Sequence, residues 1–256
     1  MNLYGISEIS VIPMRIEPND RSEMISQLLF GETFQILEKL EKWSFVKSTF
    51  DNYDGWIDNK SISYLSEEIF VQLNSSTEFI TQKLSNTILN NKNEQIILPA
   101  GCTLPNFNSE KNNFIINDNQ YTLSEDFIEA SINIESLAKQ YLNSPYLWGG
   151  KNPYGIDCSG FVQVIFKVLG IKIPRDSADQ VKEGIIINFI SDTKLGDLAF
   201  FDNEEGEITH VGIIIGENEI IHASGKVRID KLDQQGIYNL ELNKYTHKLR
   251  VVKRLI

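Results

Sequence analysis

Cysteine and histidine are scarce in this chain of 256 residues, which holds only Cys102, Cys158, His210, His222 and His247 of those two kinds. Few pairings of a nucleophile with a base are therefore available. A small scaffold stapled by disulfides is excluded by both the length and the cysteine count. The two cysteines could form one disulfide, but no secretory pattern accompanies them and a chain this long needs no staple, so reduced thiols and a cytoplasmic setting are expected. The amino terminus lacks a basic stretch followed by an apolar one, and the longest apolar runs, around Ile185 and Ile213, fall far short of the ~20 residues that cross a bilayer. Positive charge is also short, with 24 Lys and Arg against 35 Asp and Glu, a net charge of -11 and a pI near 4.8. Such a field repels phosphate backbones and anionic lipid, so neither nucleic acid nor a membrane is expected as a partner.

The rest of the composition is that of a folded protein, 41% hydrophobic and 23% charged. The length exceeds the roughly 100–200 residues of one domain. Residues 1–65 hold short apolar alternations broken by polar turns, ETFQILEKL, WSFVKSTF and GWIDNKSISYL, which predict strands, with a hairpin at KSTFDNYDGW. Residues 66–126 form a second strand-rich stretch punctuated by Pro99 and Pro105, with a loop at the asparagines from Asn86 to Asn93. Residues 127–256 differ in kind. Phe127, Ala130, Ile134, Leu137, Ala138 and Tyr141 recur at helical spacing, with Ser124 as a candidate N-cap. A glycine-rich loop then leads to CSGFVQVIFKVLG, a helix with an apolar stripe and a stop at Gly170, and apolar strands follow. Helices first and an antiparallel sheet after them make this part α+β.

Cys158 falls in the first turn of the second helix, behind Asp157 as candidate N-cap. The positive end of a helix favours a thiolate and predicts a lowered pKa, although an ionised Asp157 opposes it. A small buried hydrophobe explains the cysteine equally well on position alone. His210 and His222 lie on two apolar strands joined by the turn GENE, so they are spatial neighbours, and they share a face only if the hairpin is odd-numbered or bulged. One histidine can serve as base for Cys158 and the other can orient it. Core histidines satisfied by backbone carbonyls account for the pattern about as well. A zinc site of Cys158, His210 and His222 is a third reading, which no paired CxxC or HxxxH spacing supports. His247 lies in a polar stretch and reads as a surface residue, and Cys102 as structural.

The wording SPYLWGGKNPYGIDCSGFVQVIFKVLGIKIPRDSADQ, then LGDLAFFD, ITHVGIIIG and IIHAS, resembles the NlpC/P60 family of bacterial cell-wall cysteine peptidases. YxWGG, DCSG, PRxSxxQ, GDLxFF and HVGIxIG occur in family order. The stretch RSEMISQLLFGE with DNYDGWI is similar to bacterial SH3-like domains that precede the murein-peptide recycling branch of that family. The resemblance implies an α+β, papain-like catalytic domain behind two small all-β SH3-like barrels. It implies hydrolysis of the bond between γ-linked D-glutamate and a diamino acid, meso-diaminopimelate or L-lysine, by a cofactor-free monomer acting on small peptidoglycan peptides. It makes Cys158 the nucleophile, His210 the base and His222 its orienter, with Tyr146 near the nucleophile at the oxyanion site. Asp157, Ser159 and Ser177 would line the cleft, where helix capping and loop chemistry are the alternatives; Trp148 would wall it or belong to the core. Glu23 and Tyr53 align with residues that bind the free amine of the leading L-alanine, Glu23 being otherwise a solvated surface acid. A wall-binding module with a dead catalytic domain, and a thiol amidase or acyltransferase, are the rival functions.

Overall fold

The computed structural model describes residues 3–75, 78–124 and 133–255. The chain divides into two compact units, residues 1–131 and 132–256.

The first unit begins with β1 (Leu3–Ile6), β2 (Val11–Arg15), β3 (Met24–Leu29), β4 (Thr33–Lys39), β5 (Trp43–Ser48), β6 (Asp54–Asp58) and β7 (Ser63–Leu65). They form one antiparallel sheet in the order β3-β2-β6-β5-β4-β1-β7. The period-2 pattern is plain in β5 and β6, where every second residue is buried. Those inward residues, Val46 and Ile57, meet Ile12, Met14, Leu28, Phe34 and Ile36 in one apolar cluster. The expected hairpin joins β5 to β6, with Asn52 in the left-handed region (φ 59°) that asparagine tolerates at turns.

Residues 66–126 depart from the expectation of strands alone. They open with a helix, α1 (Glu67–Ser75), started by Ser66, whose Oγ accepts from Ile69 N and whose carbonyl accepts from Phe70 N. Acidic Glu67 and Glu68 in the first turn suit the helix dipole. The strands after it are β8 (Glu78–Ile80), β9 (Asn86–Leu89), β10 (Gln95–Leu98), β11 (Thr103–Pro105), β12 (Asn113–Ile116) and β13 (Asn119–Leu123). They make a four-stranded sheet, β10-β9-β13-β12, and the pair β11-β8. The asparagine-rich segment is thus only partly a loop: Asn86 to Leu89 is strand, because Ile88 is an apolar anchor that is fully buried. Cys102 is buried in this unit and is not disulfide-bonded.

In the second unit α2 (Ile134–Gln140) starts at Asn133, whose Oδ1 accepts from Ser136 N. Ser124 is therefore not the cap of this helix; Phe127 and Ala130 lie outside the described residues. A short hairpin, β14 (Lys151–Asn152) and β15 (Gly155–Ile156), leads into α3 (Cys158–Val168) and then α4 (Ser177–Gln180). α3 is buried on all sides from Cys158 to Lys167, so it is a central helix and not the one-sided amphipath its stripe suggests. It ends where Gly170 takes φ 79°.

The strands of this unit are β16 (Ile185–Ile187), β17 (Leu198–Asp202), β18 (Ile208–Gly216), β19 (Glu219–Ser224), β20 (Lys226–Leu232), β21 (Gly236–Asn239) and β22 (Lys244–Arg254). Their order is β16-β22-β17-β18-β19-β20-β21, and a further pairing of β21 with β22 closes the sheet on itself. α3 packs against β18 and β19. Helices before a closed antiparallel sheet give the unit its α+β class. Among the described residues no helix is long and apolar enough to cross a membrane.

Candidate active site

Asp157 positions Cys158 by capping α3. Its Oδ1 accepts from Gly160 N at 2.7 Å, and its Oδ2 accepts from Gly149 N at 2.8 Å, which ties the glycine-rich loop to the helix start. Asp157 is itself gripped by Arg175, whose Nη1 reaches Oδ1 at 3.0 Å and whose Nη2 reaches Oδ2 at 2.5 Å. Both residues are buried, so the pair is shielded from water. Arg175 Nη1 also donates to Ser159 Oγ at 2.9 Å, and Gln180 Nε2 donates to the Ser159 carbonyl at 3.0 Å. Ser159 is thus tethered from two sides, and Ser177 is buried at the start of α4.

The Cys158 sulfur is met by the backbone N–H groups of Val211, next to His210, and of Ser159. Its thiol is nonetheless pushed up to about 12, first by burial and then by the Asp157 carboxylate, with the two N–H groups and Arg175 opposing. The expected lowering by the helix end is overturned. Desolvation of a buried anion outweighs the half-charge of a helix terminus.

A β-bulge between Ile214 and Gly216 sets the histidine register, so that His222 stands opposite Gly212 and shares a face with His210. Without that extra residue His222 would oppose Ile213 and turn to the other face. The result is a direct bond, His210 Nε2 to His222 Nδ1 at 2.8 Å. Gly212 is needed there, since a Cβ at that position would come within 2.8 Å of the His222 Cβ. His222 Nε2 bonds Asp230 Oδ2 at 3.1 Å, and Arg228 grips the same carboxylate through Nε at 2.7 Å and Nη2 at 3.0 Å. Burial, reinforced by His222 and His247, holds His210 well below the ordinary imidazole range; burial also lowers His222, against the pull of Asp230. All three buried or half-buried imidazoles are neutral at pH 7.

His247 is not the surface residue its sequence neighbourhood suggests. It lies half-buried on β22 and stacks on the His210 ring, centroids 4.2 Å apart and planes 24° apart. Burial takes it down to about 4. The ligand atoms of His210, His222 and His247 lie within 4.8 Å of one another, as in a metal site. Their nitrogens are engaged otherwise, His210 Nε2 with His222 Nδ1 at 2.8 Å and His247 Nδ1 with Thr246 Oγ1 at 2.9 Å.

Tyr146 lies within electrostatic reach of Cys158; burial first, then the charges of Cys158 and Asp157, push its hydroxyl up to about 12, so it stays a donor at neutral pH. Trp148 is 58% exposed and not part of the core. Glu23 and Tyr53 belong to the first unit. Glu23 is exposed just before β3, and Tyr53 is partly buried against the apolar cluster just before β6. Arg175, Gln180, Asp230 and His247 have no assigned role in the sequence reading. Arg175 and Gln180 were within reach, since both fall in the PRxSxxQ wording; Asp230 and His247 carry no local signal.

Residues 143–246, which span this whole constellation up to the residue before His247, match the NlpC/P60 family model, and residues 14–62 match that of the bacterial dipeptidyl-peptidase Sh3 domain. The chain carries an NlpC/P60 domain. Two curated relatives are similar along most of the length. One is a gamma-D-glutamyl-L-lysine dipeptidyl-peptidase of Bacillus cereus, 26% identical over 87% of this chain and 74% of the relative. The other is dipeptidyl-peptidase 6 of Lysinibacillus sphaericus, 27% identical over 86% of this chain and 88% of the relative. In fold, the chain is similar to the crystal structure of an NlpC/P60 family protein from Bacillus cereus, with a TM-score of 0.83, 19% identity, and coverage of 98% and 99%. The NlpC/P60 match and the names of these relatives support peptidase activity, that of a hydrolase.

Proposed function

We propose that this protein is a cysteine peptidase that cleaves the γ-D-glutamyl–diamino acid bond of peptidoglycan-derived peptides bearing a free amino-terminal L-alanine, releasing L-Ala-D-Glu in cell-wall peptide recycling. The observation that carries it is the bonded series His210, His222 and Asp230 on three strands, with Cys158 at a helix start and its sulfur met by the N–H of Val211, next to His210. In this reading the His210 nitrogen not bonded to His222 takes the thiol proton as sulfur attacks the glutamyl carbonyl carbon. The oxyanion is held by the Cys158 N–H and the Tyr146 hydroxyl. His210 then protonates the leaving amine of the diamino acid, and water hydrolyses the thioester. Because the thiol is held high and the imidazole low, the resting pair is neutral and the proton moves only during attack.

Asp157, Ser159, Ser177 and Trp148 line the substrate cleft in this reading. Two SH3-like modules, 1–65 and 66–126, precede the catalytic domain, 127–256, and Glu23 and Tyr53 of the first bind the ammonium of L-alanine. A carboxylate that pairs an ammonium favours free over acylated amino termini, since the blocked peptide leaves the charge unpartnered. The protein works in the cytoplasm as a monomer on small peptides. The test is hydrolysis of L-Ala-γ-D-Glu-meso-diaminopimelate and its L-lysine counterpart, with products identified by mass. Wild type should release L-Ala-D-Glu, Cys158→Ala should not, and amino-terminal acetylation should remove most turnover. Undiminished cleavage by Cys158→Ala would sink the nucleophile assignment, and equal rates on blocked and free peptides would sink the role of Glu23.

A further inference from the structure

The histidine pair has two possible proton arrangements, and only one of them leaves a base for the thiol. If His222 carries its proton on Nε2, its Nδ1 lone pair accepts from His210 Nε2–H, and His210 Nδ1 is bare. If His222 carries it on Nδ1, it donates to His210 Nε2, and His210 must hold its own proton on Nδ1, where it can accept nothing. The 2.8 Å bond between the rings is equally satisfied either way. Something outside the pair has to choose.

We propose that Asp230, clamped by Arg228, makes that choice: it is a positioning residue that fixes the tautomer of His222 and, through it, that of His210. This rests on reading His210 as the base. Asp230 is 2% exposed on β20, diagonal to His222 across the β19–β20 pairing, where Ile220 faces Asp230 and His222 faces Arg228. Its Oδ2 lies 3.1 Å from His222 Nε2. An ionised carboxylate has no proton to give, so that contact requires Nε2–H on His222. Arg228 keeps the carboxylate ionised and aimed, with Nε on Oδ2 at 2.7 Å and Nη2 on Oδ1 at 3.0 Å, a planar two-point grip that a lysine could not reproduce. Although burial opposes it, the bonds from His222 and Arg228 hold the Asp230 carboxyl below its ordinary range. Arg228 is in turn held by Glu241 through Nη1 at 2.9 Å.

His247, the third imidazole, cannot do this work. It meets His210 face to face, not at a ring nitrogen, and its Nδ1 is engaged with Thr246 Oγ1 at 2.9 Å.

The tautomers are read directly by long-range proton–nitrogen NMR of the wild-type protein carrying 15N-histidine, without substrate. His222 and His210 should both show Nε2–H and a bare Nδ1 at neutral pH, and Nδ1–H on either would overturn the proposal. Asp230→Asn keeps the shape but can donate to His222 Nε2, favouring the unproductive arrangement. Its kcat should fall by about 10²-fold or more, toward the roughly 10⁴-fold known when such an amide sits directly on the base, with KM within about threefold. His222 should shift to Nδ1–H. Unchanged kcat, or a loss of kcat with the wild-type tautomers kept, would overturn the proposal; if Asp230→Asn does not fold, the wild-type spectrum decides alone. A wild-type protein with the expected tautomers that hydrolyses no γ-D-glutamyl peptide would sink the peptidase reading and leave the tautomer assignment standing.

Discussion

Replacing Arg175 by methionine would strand a carboxylate at the start of α3. Asp157 and Arg175 are joined by two bonds, 3.0 and 2.5 Å, between side chains that are 7% and 1% exposed. Removing one partner from such a buried pair costs about 3–5 kcal/mol, because the remaining charge keeps its desolvation penalty without its counterion. Asp157 would retain the N–H groups of Gly149 and Gly160, so the lower end, about 3 kcal/mol, is expected here. That is a large part of a typical domain stability of about 5–15 kcal/mol. The double variant Asp157→Asn/Arg175→Met keeps a side-chain cap and leaves no buried charge, and should recover about 2 kcal/mol of the loss. Native-state hydrogen exchange of the α3 amides reads this in place. A single Arg175→Met change costing under about 1 kcal/mol, or a double variant no more stable than the single one, would refute the reasoning. Turnover should fall too, since the guanidinium is among the groups pulling the Cys158 thiol down.

The protonation of Cys158 is testable by alkylation with iodoacetamide across pH. A neutral thiol pushed up to about 12 predicts a rate that climbs with pH through the neutral range and beyond pH 9, whereas a plateau persisting down to pH 5 would reveal a standing thiolate–imidazolium pair and contradict it. His247 predicts a stability profile. Its folded pKa of about 4 lies below the ordinary 6.5, so the unfolded chain binds more protons between those values; stability is present above pH 6.5 and is lost as pH falls toward 4. Thermal melts of His247→Gln should show a shallower acid loss than wild type, and an identical slope would exclude the half-buried stack.

The second unit is more legible in sequence than the first. DCSG and HVG each place a candidate side chain at a point that local rules can recognise, a capped helix start for Cys158 and an apolar strand for His210. The stack of His247 on His210 depends on β22 pairing with both β17 and β21, a closure between strands far apart in the chain, and its polar neighbours hide it. Asp230 reads as an ordinary strand acid until the register puts it beside His222. The thiol departs from its expected pKa for an energetic reason: the helix end is visible in the sequence and the depth of burial is not. α1 is hidden by the strand-rich wording around it, although Ser66, Glu67 and Glu68 form a helix-start signal.

The bulge between Ile214 and Gly216 has a consequence for how this chain can vary. Because it fixes the parity of the hairpin, removing one residue between His210 and His222 would carry His222 to the far side of the sheet while leaving both imidazoles chemically intact. Such a protein would fold around a complete inventory and an empty circuit. Hairpin length and the histidine pair are therefore coupled: change by pairs of residues keeps the connection, and change by one severs it.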